Sequence, residues 1–222
     1  MDNELSSSQG VPVVAISQRV VAETSRPETR DALDHGWAAL LESFGAIVVP
    51  VPNSLADVQS WLETIRPSLI ILSGGNDLAY LGTSDGSSAR DATESLLLSY
   101  ATDNMTPLLG VCRGMQFLAH SSGGTLTAVT DHAGTSHVVV SVAGENPLGW
   151  SGERTVNSFH DWGIMADGLP TAWSVLAVAP DGVIEAIAHK TLPHIGVMWH
   201  PERGERDSRD TILIESLLKM SR

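Results

Sequence analysis

The chain has 222 residues, 42% of them hydrophobic and 18% charged, with a formal net charge of −13. That composition excludes a disordered or fibrous chain. The acidic balance, with no basic stripe, argues against a nucleic-acid groove, because phosphate binding depends on clustered Lys and Arg. The length suits one compact domain over residues 1–222 with a sizeable core.

No apolar run approaches the roughly 18 residues that span a bilayer, so neither membrane nor nucleic acid is an expected partner. The one cysteine rules out an internal disulfide. Together with a polar, acidic start from Met1 to Gly10, which lacks the parts of a secretory signal, this sets the expectation of a reducing, cytoplasmic home.

In chain order, Val11 to Ile16 reads as a buried strand, short and rich in β-branched residues. Residues 29–44 read as a helix, because Leu33, Trp37, Leu40, Leu41 and Phe44 fall on one face and Gly45 stands where a left-handed cap belongs. Ala46 to Val51 follows as a strand. The next helix is expected from Ser54, its cap, to Ile65, and the next strand from Leu69 to Leu72. Asp91 to Tyr100 and Met115 to His120 read as helices on either side of a strand from Pro107 to Val111.

This alternation predicts an α/β fold with a doubly wound parallel sheet. The second half reads instead as strands Ser136 to Val142, Trp173 to Ala179, Val183 to His189 and His194 to Trp199, with Asp181-Gly182 as a hairpin turn. Thr211 to Met220 closes the chain as an amphipathic helix.

Three short segments carry chemistry. Gly110-Val111-Cys112-Arg113-Gly114 is a G-x-C-x-G elbow between a strand and a helix. Such a turn pushes a nucleophile into an exposed, strained position, and the new helix points its positive end at the sulfur. The competing reading is a small buried cysteine of no chemical consequence. His200-Pro201-Glu202 follows a strand, and residues two apart in extended chain face the same side, so Glu202 can fix the imidazole whose other nitrogen meets the thiol. Ser73-Gly74-Gly75-Asn76-Asp77 also follows a strand. The N–H groups of Gly75 and Arg113 are candidates for an oxyanion hole, each worth about 3 kcal/mol in comparable sites.

These segments resemble the class I glutamine amidotransferase-like superfamily, especially its γ-glutamyl hydrolase branch. The resemblance extends to Arg90-Asp91 with Glu94, Gly123-Gly124-Thr125-Leu126, Val156-Asn157-Ser158 with His160, and Asp181-Gly182 with Ile184-Glu185-Ala186. It implies a flavodoxin-like sheet with helices on both faces and a small additional β layer, a Cys112-His200-Glu202 triad, and a γ-glutamyl thioester on Cys112 that water hydrolyses. It also implies that Gln116, Asn157 and Ser158 hold the glutamyl amino and carboxylate groups and that His160 lines the acceptor side. No cofactor or metal is implied, and the expected partner is a small γ-glutamyl compound, with a homodimer compatible.

Two departures stand out: Met198 precedes the Trp-His-Pro-Glu run where many relatives have Gln, and Asp161-Trp162 follows His160 where His-Gln is common. Residues 16–20, 28–34 and 73–78 look like a narrower group, the γ-glutamyl-CDP-amidate hydrolases, which would add Gly74, Asn76 and Arg19 to the substrate contacts. The plainer reading leaves Arg19 and Arg30 as solvated charges or carboxylate partners. Two further readings are a glutaminase subunit serving a separate synthetase and a binding module that has lost turnover.

Overall fold

The computed structural model describes residues 10–23, 25–142 and 147–220; the first nine residues, the site of the signal-peptide reading, lie outside them. A nine-stranded sheet organises the chain. Its parallel half contains β1 (Val13–Ser17), β4 (Ile47–Val51), β5 (Leu69–Leu72), β6 (Leu108–Val111) and β13 (His194–Val197), in the order β4-β1-β5-β6-β13. The antiparallel half continues the same sheet from β13 through β12 (Ile184–His189), β11 (Trp173–Val178), β8 (Ala133–Ser141) and β9 (Glu153–Phe159). The extra strands thus extend the main sheet, and two small two-stranded ribbons accompany it.

Alternation along the strands divides the core in two. Val14, Ile16, Leu69, Ile71, Leu109 and Val111 face one side, where helices α1 (His35–Glu42) and α5 (Ser208–Met220) contribute Trp37, Leu41, Leu213 and Leu217. Ala15, Ile70, Leu72 and Leu108 face the other, under α2 (Val58–Ile65), α3 (Ser88–Asp103) and α4 (Arg113–Ser121). A sheet covered on both faces explains why β5 and β6 read as continuous apolar runs. The Asp181-Gly182 turn joins antiparallel β11 and β12 as expected, with Gly182 at φ 92°.

The helix expected over residues 29–44 is shorter. Thr29–Ala32 forms strand β3, paired antiparallel with β2 (Arg19–Ala22), and the helix begins only at His35, where the Asp34 carboxylate accepts the Gly36 N–H at 2.9 Å. The apolar periodicity of 33–44 is real, but pairing with β2 takes the preceding residues out of it. α2 likewise starts late, because Asp57 rather than Ser54 caps it by accepting from Ser60 N at 2.9 Å. β9 had no counterpart among the expected strands, and it carries Asn157 and Ser158.

Candidate active site

β5, β6 and β13 are neighbours and run parallel, with Leu72 opposite Gly110 and Val197 opposite Val111. Their carboxyl ends therefore fall on one edge of the sheet, about 4.8 Å apart from strand to strand. The three chemical segments follow these three ends: Ser73-Gly74-Gly75 after β5, Cys112 after β6 and His200 shortly after β13. Topology alone puts the thiol between the glycine loop and the histidine, at the strand ends where α/β proteins gather their sites.

Cys112 sits at φ 52°, ψ −106°, as the residue preceding α4. A side chain in that left-handed region is strained and is held there by its surroundings. Its N–H donates to Val197 O at 2.7 Å, tying the elbow to β13. A Cβ on Gly114 would lie 2.0 Å from Leu72 O, and one on Gly110 2.7 Å from Gly114 C. Both glycines are thus required for the close passage of elbow, helix and strand.

His200 is buried, and its Nδ1 lies 2.7 Å from Glu202 Oε1. Asn157 clasps its backbone from both sides: Oδ1 accepts the His200 N–H at 2.8 Å and Nδ2 donates to His200 O at 2.9 Å. Burial disfavours a charged imidazole here, but the Cys112 and Glu202 side chains outweigh it and raise the pKa to about 9. Nε2 is enclosed and makes no hydrogen bond of normal geometry, even though Cys112 is the strongest favourable influence on the charged ring. Such looseness suits a resting site whose contacts tighten around substrate. A protonated imidazole next to the sulfur is the charge partner that a thiolate needs.

Beneath the glycine loop lies a buried network. Glu94 accepts from Ser17 Oγ at 2.7 Å, from Arg90 Nε at 2.9 Å and from the Arg113 guanidinium. Although burial works against the Glu94 carboxylate, Arg113 and Arg90 hold its pKa below the usual value. Arg90 also donates to the carbonyls of Ser73, Gly74 and Gly75. In a trans peptide the C=O and the following N–H point in opposite directions, and the described peptides are all trans. Holding Gly74 O toward Arg90 therefore turns the Gly75 N–H away from the network. Gly75 and Cys112 line the same cleft, of about 320 Å³. The Arg113 N–H belongs to the first turn of α4, where amides have no helical partner.

Arg19, Asn76, Gln116 and His160 line that cleft as well. Arg19 is half exposed and lies 3.7 Å from Asp85. Asn76 binds both backbone groups of Val20, at 2.7 and 3.0 Å, and so carries β2 and its Arg19 to the cleft. Gln116 Nε2 donates to Trp162 O at 2.8 Å, and His160 Nδ1 lies 3.1 Å from the same oxygen. Gly74 has a spacing role, since a Cβ there would come within 2.5 Å of His200 Cε1. The side chains of Asn157 and Ser158 are bound to backbone groups, the latter to His132 O. In the structure these two hold the His200 segment and the residue before β8, and neither is among the residues that line that cleft.

The positioning roles of Arg90, Glu94 and Asn157 are not marked in the sequence. The Arg90/Glu94 spacing is visible at i,i+4, but the sequence does not distinguish a buried pair of this kind from a surface one.

A mixed sheet whose parallel half carries a cysteine elbow at the end of β6, beside the strand that leads to a histidine–carboxylate pair, is a glutamine amidotransferase fold. A putative GMP synthase subunit from Thermoplasma acidophilum superposes with a TM-score of 0.72 at 19% identity, covering 96% of this chain and 95% of that one. A glutamine amidotransferase from Thermotoga maritima gives 0.67 at 16%, covering 94% and 83%.

The chain belongs to the peptidase C26 family, whose model matches residues 12–202, and is a glutamine-amidotransferase-like hydrolase. It is 31% identical over 210 residues to the γ-glutamyl-CDP-amidate hydrolase of Campylobacter jejuni, covering 93% of this chain and 98% of that protein. It is 32% identical to a putative glutamine amidotransferase-like protein of Lactococcus lactis, covering 70% and 73%. To the glutamine-hydrolysing GMP synthase subunit of Pyrococcus abyssi it is 29% identical, covering 75% and 80%.

Proposed function

We propose that this chain is a cysteine hydrolase that cleaves a γ-glutamyl C–N bond through a γ-glutamyl thioester and releases glutamate. The observation that carries the reading is the buried His200 imidazole, held by Glu202 at 2.7 Å and favoured in its charged form by the strained Cys112. The Cys112 thiolate attacks the γ-carbonyl carbon, and the N–H groups of Gly75 and Arg113 receive the resulting oxyanion. Collapse breaks the C–N bond while protonated His200 gives its proton to the leaving nitrogen. Neutral His200 then takes a proton from water as it attacks the thioester, and collapse returns the thiolate, the imidazolium and free glutamate.

γ-Glutamyl-CDP-amidate is the substrate this reading favours, supported by the relative of that name, which the chain matches over nearly its full length. Arg19, carried to the cleft by Asn76, supplies a cation for an anionic leaving group. The test is glutamate release by the purified chain from a panel of γ-glutamyl amines, γ-glutamyl peptides, glutamine and γ-glutamyl-CDP-amidate. The reading expects at least one non-glutamine compound to turn over fully without a partner.

A second reading, a glutaminase subunit feeding ammonia to a separate synthetase, has support from the relatives named as GMP synthase subunits. It expects weak turnover that rises strongly when a synthetase is added. A module without turnover fits poorly with a complete thiol, imidazole and carboxylate set, and any hydrolysis abolished by Cys112→Ala removes it.

A further inference from the structure

A second carboxylate–histidine cluster lies in the antiparallel half. His132 precedes β8, His137 lies on it, His160 follows β9, and all three face Glu185 on β12. His132 Nδ1 is 3.4 Å and His160 Nε2 3.6 Å from Glu185 Oε1, and His137 Nε2 is 3.5 Å from Oε2. Those separations exceed a good hydrogen bond between charged groups, about 2.7–2.9 Å. His132, His160 and Glu185 are 3%, 4% and 1% exposed, and every one of these facing atoms is buried without a hydrogen-bond partner.

The outer ring nitrogens are engaged. His160 Nδ1 lies 3.1 Å from Trp162 O, a carbonyl that only accepts, so Nδ1 carries the proton and a neutral ring presents a bare lone pair at Nε2. His132 Nε2 lies 2.8 Å from Asp181 Oδ2, which turns Nδ1 inward toward Glu185. These are the outer contacts that orient imidazoles for a metal. A tetrahedral zinc with bonds of about 2.0–2.1 Å has ligand-to-ligand edges of about 3.3–3.4 Å. The 3.4 and 3.6 Å separations are close to that edge, and the inner atoms of His132, His160 and Glu185 all lie within 4.8 Å of one another. Imidazole nitrogens with one carboxylate oxygen form a donor set suited to zinc.

We propose that His132, His160 and Glu185 bind a zinc ion. The three ligands come from the residue before β8, the residue after β9 and from β12, so the ion staples these strands together. Because His160 also lines the Cys112 cleft, the ion fixes one wall of the active site without entering the chemistry. The sequence reading expected no metal, and this site departs from it.

The test uses the full chain, stripped with chelator and titrated with Zn²⁺ alone, as wild type and as Cys112→Ser, since the thiol and His200 offer a competing zinc site. The proposal expects one zinc per chain in both proteins, a melting temperature raised by several degrees in both, and an X-ray absorption spectrum with only nitrogen and oxygen at about 2.0 Å. His132→Gln and Glu185→Gln should weaken zinc binding at least tenfold, and the exposed His35→Ala should not change it. If those two variants do not fold, Asp181→Asn serves in their place, with roughly tenfold weaker binding expected from loss of the outer contact. No bound zinc in wild type, zinc lost with Cys112→Ser, or sulfur in the first shell would overturn the proposal.

Discussion

The two histidine clusters use the same physics for different ends. At His200 burial opposes the charged ring and Cys112 with Glu202 overcomes it; at His132 Glu185 dominates, against burial and with help from Asp181; both pKa values rise to about 9. What differs is the group the inner nitrogen faces. In the parallel half it faces a sulfur held in strained backbone, and in the antiparallel half a buried carboxylate with two imidazoles. A carboxylate that holds a proton on a ring also favours another cation there, and metal binding releases that proton. Paired burial and charge therefore do not define a reaction, which depends on whether a nucleophile completes the set.

The largest expected effect separates the clusters directly. Cys112→Ser should lower γ-glutamyl hydrolysis by about 10⁴-fold or more while leaving thermal unfolding nearly unchanged, since the substitution is small and its effect is chemical. Glutamate release and a melting curve check both halves of that statement.

Glu202→Gln comes next, at up to about 10⁴-fold in kcat, because the ring loses its orienting carboxylate. It also tests the sign of the pKa shift. With the folded pKa near 9, the imidazolium is present across neutral pH and activity falls as pH rises through about 9. The stability from this charged ring is complete below about pH 6.5 and disappears over the same rise. In Glu202→Gln the alkaline limb of the pH–rate profile should move to lower pH. An unmoved limb would remove Glu202 from the account.

Arg90→Met should destabilise the fold by about 3 kcal/mol in urea unfolding, because Glu94 keeps its burial and loses a partner. It should also lower kcat in whatever protein remains folded, since the Gly74 and Gly75 carbonyls lose their anchor. The smallest effect belongs to Asp181→Asn in zinc-free protein. Asp181 is half exposed, so its loss should cost less than about 1 kcal/mol.

The parallel half was legible in the sequence because its signals are local. The apolar runs Leu69–Leu72 and Leu108–Val111, the glycines around Cys112 and the His200-Pro201-Glu202 step each declare themselves within a few residues. The residues that hold this site were less visible. Asn157 acts on His200 across 43 positions, and Arg90 on Gly74 across 16, contacts created by sheet order and helix packing. The β2-β3 ribbon was hidden for a related reason, since Thr29–Ala32 becomes a strand only when β2 pairs with it. His132, His160 and Glu185 come from three separate places along the chain, with no shared spacing to mark them as a set.

The account depends most on Cys112 carrying the γ-glutamyl group. Rapid acid quench of the wild-type chain during turnover of a γ-glutamyl substrate, followed by intact and peptide mass spectrometry, reads this directly. The account predicts a mass increase of one glutamyl residue on the peptide containing Cys112, weakened or absent in His200→Asn. Glutamate released with no adduct on Cys112, or with the adduct on another residue, would contradict it.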